Sequence, residues 1–324
     1  MLYPLFLISM IFSFLYFVVN KEDKEEDIRN KMTLGDRMKY YEKKSTKVSK
    51  ILPYQSYIIR LDGKNFSKKT SSLVKPFDDV FNEAMLMTSK DILKEFHGST
   101  VFVQSDEISI IFGAVCTEED YIENNNKSTH IFDGKVSKIL SVFAGYTSTR
   151  FTINFANLLM ESVKNEENKV HENYLKRLNG DGLLLNASYC FDSRLILIPT
   201  NRNFEAVNNI LWRSVHDCYR NYVSGLAYHY FPKKQLNKLK TNERAKLLEE
   251  KNISVDIAPS HYKYGWYLKN QLTQIETEKG MATRTIVVAK SFKIYYSEEV
   301  EEMLYSKYWN NISESISFNE ERIL

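Results

Sequence analysis

Cysteine is scarce in this chain. Its 324 residues include three cysteines, Cys116, Cys190 and Cys218, which are far apart and odd in number. No CxxC pair and no Cys/His metal spacing occurs. This pattern speaks against a disulfide framework and against a structural zinc site. A reducing compartment is the environment that fits it best.

An excess of charge of either sign is also missing. The 44 basic and 41 acidic residues leave a formal net charge of +3, which is too small to indicate a partner. Any nucleic-acid footprint must therefore come from local patches. Internal repeats and low-complexity tracts are absent. Apolar side chains are abundant, at 43% of residues, and they can build the core of one large domain or two ordinary ones.

The long uncharged run of this chain is at its N-terminus. Residues 2–19 have roughly membrane-spanning length, although one proline and two serines interrupt the apolar pattern. The run lacks the basic start of a secretory signal and the Arg-rich pattern of a transit peptide. Residues 21–27, KEDKEED, have the composition of a solvated linker. A membrane anchor, a targeting segment and a reading frame begun too early, with Met32 as the natural start, stay open as interpretations.

Apolar periodicity after residue 53 predicts alternating strands and helices. Strands are predicted at residues 54–63, on both sides of residues 105–107, and at 194–200; helices are predicted after Lys75-Pro76, from about Lys135, and over about 204–231. The order strand, helix, strand, strand, helix, strand is that of a ferredoxin-like fold. We therefore predict an α+β protein with a ferredoxin-like antiparallel sheet, helices on one face, and added C-terminal helices and strands.

Two adjacent carboxylates interrupt the apolar stretch VFVQSDEISIIF at residues 101–112. Asp106 and Glu107 lie between two predicted strands, and Asp62 ends an earlier strand that can be their neighbour in the sheet. Mg²⁺ takes one or two carboxylates and leaves its other positions to water and phosphate. Two such ions can activate an attacking oxygen and neutralise a pyrophosphate. Spacing alone leaves a plainer alternative open, in which both pairs are solvated hairpin turns.

Basic residues follow the first of these strand ends. Lys64, Asn65, Phe66 and Ser67 precede two more lysines, and the backbone N–H groups and lysines of this loop could cradle a triphosphate. Lys75 adds positive charge near a helix start. Lys138, with neighbouring basic residues, makes a second group. For both groups a solvated surface without function is the alternative.

Seven motifs in order resemble the tRNA-His guanylyltransferase family. They are GDRMKYYE (35–42), RLDGKNFSK (60–68), KPFDD (75–79), QSDEISIIF (104–112), FDSRLILIPT (191–200), the WR…D..RN pattern of residues 212–221, and KYGWYLKN (263–270). The resemblance covers roughly residues 33–295. It implies a polymerase-palm-like catalytic domain that adds nucleotides to the 5′ end of tRNA in the 3′-to-5′ direction. The implied organisation is an N-terminal segment at 1–31, a catalytic domain at 32–295 and a C-terminal tail at 296–324.

The resemblance also implies roles for individual residues. Asp62, the backbone carbonyl of Gly63 and Asp106 match the ligands of two Mg²⁺ ions, and Glu107 takes the neighbouring acidic position among the catalytic residues. The positions that match nucleotide contacts are Lys75, Asp78, Ser105 and Lys138. Asn221 matches a position of the later, tRNA-related motif.

Several positions depart from the family pattern. Phe77 stands where the family has Asn, and Ser67 stands where guanylyltransferases proper often have His. The family's HINNLYN motif has lost its His, because Asp217 is followed here by Cys218, Tyr219 and Arg220. One extra residue also lies between Trp212 and Asp217. These departures resemble the guanylyltransferase-like branch, which repairs truncated tRNA 5′ ends against the opposite strand.

The expected function is template-dependent 3′-to-5′ nucleotidyl transfer to truncated tRNA, after activation of its 5′ end by ATP or another NTP. The resemblance implies two Mg²⁺ ions, ATP and GTP or other NTPs as substrates, tRNA as partner, and a homotetramer. The implied location is the cytoplasm or mitochondria, with a possible tether through residues 2–19. Three alternatives stay open: addition of G at position −1 of tRNA-His, a nucleotide cyclase of the same architecture, and a non-catalytic RNA-binding protein.

Overall fold

A sheet of seven antiparallel strands forms the centre of the protein. The computed structural model describes residues 31–166, 169–179, 188–256, 258–278, 280–312 and 316–324. The strands within these ranges are β1 (Tyr57–Gly63), β2 (Thr100–Gln104), β3 (Glu107–Phe112), β4 (Phe191–Leu197), β5 (Trp266–Thr277), β6 (Gly280–Ser291) and β7 (Glu320–Ile323). Their order across the sheet is β4-β1-β3-β2-β5-β6-β7.

Helices cover the sheet and connect its strands. In chain order they are α1 (Leu34–Ser45), α2 (Phe66–Lys69), α3 (Asp79–Phe96), α4 (Glu118–Ile122), α5 (Val136–Glu166), α6 (Lys169–Asn179), α7 (Phe204–Leu211), α8 (Tyr219–Tyr230), α9 (Lys233–Leu236), α10 (Thr241–Glu250), α11 (Ser260–Tyr264) and α12 (Glu298–Tyr305). Short 3₁₀ turns lie at Ile131–Gly134 and Trp309–Asn311.

The predicted N-terminal segment at residues 2–19 and the linker at 21–27 lie outside the described residues. Inside the described ranges, no helix combines the length and the apolar character that a membrane span requires.

The predicted α+β class and the ferredoxin-like order are confirmed. The first four strands lie in the order β4-β1-β3-β2, with α3 and α5 as the two connecting helices. Helix α3 begins later than its Pro76 signal indicates, because the Asp78 carboxylate accepts a hydrogen bond from the Phe81 N–H (2.9 Å) and so caps the helix. The left-handed residue His97 ends it.

Both faces of the sheet are buried, and alternate residues of β1 show why. Ile59 belongs to a core that α3 and α5 share with the sheet, whereas its neighbour Ile58 belongs to a second core on the opposite face. The second core contains side chains of α1, α7 and α12. The helices of the ferredoxin-like unit therefore lie on one face, as predicted, and the added helices cover the other. Burial on both faces explains the nearly unbroken apolar runs of these strands.

The predicted long helix over residues 204–231 is present, with a change of winding in its middle. Helices α7 and α8 are joined without a break by a π-helix at Trp212–Cys218. A π turn holds one more residue than an α turn. It can therefore absorb the extra residue between Trp212 and Asp217, so that side chains on both sides of it keep their directions.

The segment after residue 295 packs on the same sheet. Met303 and Leu304 of α12 are buried in the second core, and β7 pairs with β6. The Lys269 ammonium group of β5 donates to the carbonyl of Met303 (2.8 Å) and to the Thr100 hydroxyl (2.8 Å). The boundary predicted at residue 295 thus falls within a region whose later residues share the core of the sheet.

Candidate active site

Asp62 and Asp106 meet at one end of the sheet. β1 pairs with β3, which places Asp62 opposite Glu107, and a tight turn at Ser105-Asp106 joins β2 to β3. Ser105 has a left-handed backbone (φ 48°), and the Gly63 N–H donates to the Asp106 carbonyl at 3.0 Å. The two predicted turns are therefore one hydrogen-bonded unit, which holds both carboxylates on strand ends.

Gly63 is required here by close packing. A Cβ atom at this position would lie 2.5 Å from the Phe66 ring. That ring is itself fixed in the core against Phe151 (5.2 Å between ring centroids) and Phe191 (5.0 Å). The loop that follows Asp62 is thus held close to the strand end, and Phe66 serves as its anchor.

The Asp106 carboxylate carries negative charge that no nearby basic group balances. Burial and, next, the negative charge of Asp62 together raise its pKa to about 6. Its hydrogen-bond donor is the Ser105 hydroxyl at 3.2 Å, and it forms no ion pair with a basic side chain of the described residues. A bound cation would relieve this repulsion.

The donor set at this edge fits Mg²⁺. Asp62, Asp106 and the Gly63 carbonyl offer only oxygen atoms, which hard cations prefer. Within the described part of the chain, no cluster of three His, Cys, Asp or Glu side chains is arranged to hold a metal. Two carboxylates would leave coordination positions for water and substrate phosphate, as Mg²⁺ sites usually do.

Glu107, predicted as a catalytic residue, faces arginines. It is buried, with its oxygens 2.7 Å from the Arg60 guanidinium and 3.3 Å from that of Arg213. Burial raises its pKa, and the charges of Arg213 and Arg60 oppose that rise. These contacts are those of a buried counter-ion, and a direct part for Glu107 in catalysis stays a prediction.

Two arginines that sequence reasoning missed connect this network to the surrounding elements. Arg60 also contacts Asp62 (3.1 Å), so it orients one of the candidate metal ligands. Arg213 of the π-helix pairs with Asp217 (2.8 Å) one turn later. The sequence offered two signals for them. Arg60 is a charged residue inside an apolar strand, and Arg213 and Asp217 are four residues apart in a predicted helix.

Two adjoining cavities open beside Asp106. The smaller, of about 310 Å³, is polar, and the larger, of about 430 Å³, has aromatic walls. Ser67, Thr70, Phe81 and Ser105 line both. The smaller also contacts Gly63, Asn65, Phe66 and Asp106; the larger also contacts Lys75, Phe77, Asp78, Asn221, Tyr222, Tyr228, Tyr262 and Trp266. A polar space beside carboxylates suits phosphates, and an aromatic one suits a base.

Lys75 and Asp78 both reach the larger cavity, but in different states. The exposed Lys75 ammonium group donates to the Thr70 carbonyl at 3.1 Å. The Asp78 carboxylate is buried and accepts from the N–H groups of Val74 (3.0 Å) and Phe81 (2.9 Å). It also pairs with His171 at 2.8 Å, a partner that no sequence signal indicated. Asp78 therefore holds the loop that carries Lys75.

Packing explains the unusual Phe77. Its ring stacks on Tyr262 (4.5 Å between centroids) and on Tyr222 (5.6 Å). An Asn side chain could not make these contacts, so this change belongs with the aromatic wall of the larger cavity.

Comparison with known proteins agrees with this geometry. A family model for tRNAHis guanylyltransferase matches residues 35–199, about half of the chain. The chain belongs to the tRNAHis guanylyltransferase family. A bacterial tRNAHis guanylyltransferase-like protein, solved in complex with ATP, has a TM-score of 0.54 and 26% identity, over 84% of this chain and all of that one.

Two curated relatives extend the match along the chain. An uncharacterized protein of Acanthamoeba polyphaga mimivirus is 34% identical over 277 residues, which are 85% of this chain and 90% of that protein. A probable tRNA(His) guanylyltransferase of Drosophila melanogaster is 25% identical over 67% of this chain and 68% of that protein. As a member of the tRNAHis guanylyltransferase family, the protein is a nucleotidyltransferase.

One residue assigned to nucleotide binding by the family motifs lies apart from the others. Lys138 is near the start of α5, with its ammonium group 4.9 Å from the Phe132 ring centroid. It lines neither cavity, and Lys64 also lines neither, although its neighbours Gly63 and Asn65 line the smaller one. Phe143, about one turn further along α5, packs on Phe112, which ends β3 far from Asp106. Within one chain, the structure does not bring Lys138 together with Lys75 and Asp106.

Replacing Lys75 with alanine is expected to raise the KM for the nucleoside triphosphate. Loss of one charge-assisted contact to phosphate corresponds to about 1–3 kcal/mol, or roughly 5- to 150-fold. Steady-state kinetics at varied NTP measures the change. Lys94→Ala, at an exposed lysine in the last turn of α3, is the matched control. Equal kinetics for the two variants would show that Lys75 does not contact the nucleotide.

Proposed function

We propose that this nucleotidyltransferase restores missing nucleotides at the 5′ end of tRNA, in the 3′-to-5′ direction and against the opposite strand as template. The observation that carries the proposal is the pairing of Asp62 and Asp106 at one hydrogen-bonded strand edge, beside a polar and an aromatic cavity. Family membership supports the reaction class, and the ATP bound to the bacterial relative supports a nucleotide in these cavities.

Asp62, Asp106 and the Gly63 carbonyl would hold two Mg²⁺ ions. When bound, these ions would polarise the reacting phosphate and lower the pKa of the attacking hydroxyl. Arg60 keeps Asp62 in place, at 3.1 Å. Lys75 contacts phosphate, and the aromatic walls hold the base and exclude water from the larger cavity.

The proposed reaction has two steps. An oxygen of the tRNA 5′-monophosphate first attacks the α-phosphorus of ATP, which forms an adenylylated end and releases pyrophosphate. The 3′-hydroxyl of the next NTP then attacks the 5′ phosphorus and displaces AMP. When the end is triphosphorylated instead, this second attack displaces pyrophosphate. Base pairing with the opposite strand selects the NTP.

Residues after the π-helix favour repair over addition of an untemplated G. Tyr219 replaces the family's His at the start of α8, and a phenol offers neither the charge nor the two nitrogens of imidazole. Arg220 is mostly exposed, and it pairs with Asp217 at 3.0 Å. From this position it can contact backbone phosphate without reading a base. Discrimination then rests on Watson–Crick pairing, which any acceptor stem provides.

A competition between two RNAs tests this proposal. The purified protein is given a 5′-truncated tRNA and a full-length tRNA-His together, with Mg²⁺ and all four NTPs, and product lengths are read on a sequencing gel. We expect the truncated tRNA to be extended to full length with the base that its template specifies. A preference for full-length tRNA-His would support G addition at position −1. RNA binding without any extension would support the non-catalytic alternative.

The family resemblance extends the proposal to assembly and location. On that basis we propose a homotetramer in the cytoplasm or in mitochondria. The uncharged run at residues 2–19 adds a membrane tether to the proposal. Sedimentation of the purified protein tests the tetramer.

A further inference from the structure

Residues 218–242 form a stretch of the chain that is rich in positive charge. Residues 218–242 contain Arg220, Lys233, Lys234, Lys238 and Lys240, and they contain no Asp or Glu. This segment therefore carries a formal charge of +5, whereas the whole chain carries +3, so the remaining residues together carry −2. The nearly neutral composition conceals a strong local separation of charge.

The lysines of this segment stand on a folded scaffold. Helices α8, α9 and α10 share a small core that contains Tyr222, Leu226, Leu236 and Leu248. Leu236 and Leu248 are fully buried, so α9 and α10 are packed firmly against α8. The lysines consequently have fixed positions relative to α8.

The side chains of Lys233, Lys234 and Lys238 are free for an external partner. All three residues are exposed, and none forms an ion pair with an acidic side chain of the described residues. Like charges held close together repel one another, and a structural role would supply carboxylates between them. An anionic partner is the arrangement that relieves this repulsion.

The basic segment begins where the larger cavity opens. Asn221, Tyr222 and Tyr228 of α8 line that cavity beside Lys75. Tyr228 is 49% exposed and Tyr230 is 40% exposed, and α9 follows three residues later. A polymer that has one end in the cavities would therefore pass the exposed tyrosines and then reach the lysines.

We propose that Lys233, Lys234 and Lys238 bind the phosphate backbone of the RNA whose 5′ end reacts at Asp62 and Asp106. This inference rests on the proposed function. Lysines contact phosphates as point charges and read no sequence, which suits an enzyme that accepts several tRNAs. An anionic membrane would require apolar side chains beside the lysines, but Phe231 and Leu236 are buried.

The test compares two triple variants of the full chain by salt-dependent RNA binding. The first is Lys233→Ala/Lys234→Ala/Lys238→Ala, and the control is Lys94→Ala/Lys127→Ala/Lys307→Ala, at three exposed lysines that lie in different parts of the chain. Loss of three phosphate contacts is expected to reduce the slope of log K against log salt by about 2–3 for a truncated tRNA. The control is expected to keep the wild-type slope, and both variants are expected to keep the wild-type affinity for ATP.

A charge-preserving variant separates phosphate binding from a folding defect. Lys233→Arg/Lys234→Arg/Lys238→Arg is expected to restore the wild-type slope. An unchanged slope in the alanine variant overturns the inference, and so does a loss confined to binding of phosphatidylserine vesicles. If wild-type protein binds tRNA with the expected slope but extends no RNA, the proposed function fails while the RNA surface stands.

Discussion

Replacing Asp106 with asparagine is expected to abolish nucleotide addition and to leave the protein folded. The change keeps the size of the side chain and removes one anionic ligand of the proposed Mg²⁺ ions. Stabilisation of the transition state by a metal is worth several kcal/mol, so we expect activity to fall by about 10³-fold or more. Asp62→Asn is expected to have an effect of similar size. Extension of a truncated tRNA at saturating Mg²⁺ and NTP measures both.

The stability of the metal-free variant provides an independent readout. The pKa of Asp106 is raised from 3.8 to about 6 in the folded protein, so folding disfavours its charged form. This destabilisation is present above pH 6 and disappears as the pH falls below 3.8. Metal-free Asp106→Asn should therefore have a higher Tm than wild type at pH 7.5, and the difference should shrink as the pH falls towards 4. A variant that stays active would contradict the metal assignment. A Tm that falls at pH 7.5 would contradict the repulsion inferred at Asp106.

Replacing Glu107 with alanine is expected to destabilise the protein. The change would remove the carboxylate that the buried Arg60 and Arg213 share, and would leave Arg60 with Asp62 and Arg213 with Asp217. Removing one partner of a buried ion pair costs about 3–5 kcal/mol when the other charge is left alone. Because each arginine keeps a carboxylate, we expect a loss of about 1–3 kcal/mol. That is a measurable share of the about 5–15 kcal/mol by which native proteins are stable. Denaturant unfolding of the metal-free protein measures it.

Two further variants define the cause of that loss. Glu172→Ala removes the carboxylate of an exposed ion pair with Lys176 on α6, and it is expected to leave the stability close to that of the wild type. Glu107→Ala/Arg213→Met also removes one of the two arginines that lost Glu107. Asp217 keeps its pair with Arg220, so this variant is expected to recover part of the stability. Inactive Glu107→Ala protein with wild-type stability would instead place Glu107 among the groups that contact metal or substrate.

Local sequence patterns were sufficient for the element order and for placing Asp62 and Asp106 at strand ends, whereas their role as metal ligands came from the family resemblance. Helix α3 and the β2–β3 hairpin each show their apolar period within fewer than 20 residues, and the order of elements then selects the ferredoxin-like sheet. In that sheet β1 must lie beside β3, so Asp62 and Asp106 come together at one end. Short-range patterns and one rule of topology thus predicted where the two carboxylates lie, and the resemblance to the family supplied their role.

Contacts between distant parts of the chain were beyond sequence reasoning. His171 meets Asp78 across 93 positions, so a residue assigned to nucleotide contact also holds a loop in place. Lys138 was assigned to nucleotide contact together with Lys75. Its position near the start of α5 places it at the other end of the sheet. Neither result follows from spacing, because each depends on which helix packs where.

The sequence by itself determined the α+β class and the strand ends at Asp62 and Asp106, because periodicity and turn residues act within one or two elements. Its ordered motifs determined the family resemblance. Tertiary structure alone decided that Glu107 faces Arg60 and Arg213, that Phe77 completes an aromatic wall, and that Lys233, Lys234 and Lys238 are exposed around the buried Leu236. The physical reason is that burial and charge pairing depend on side chains that are distant in sequence and meet only when the helices pack on the sheet.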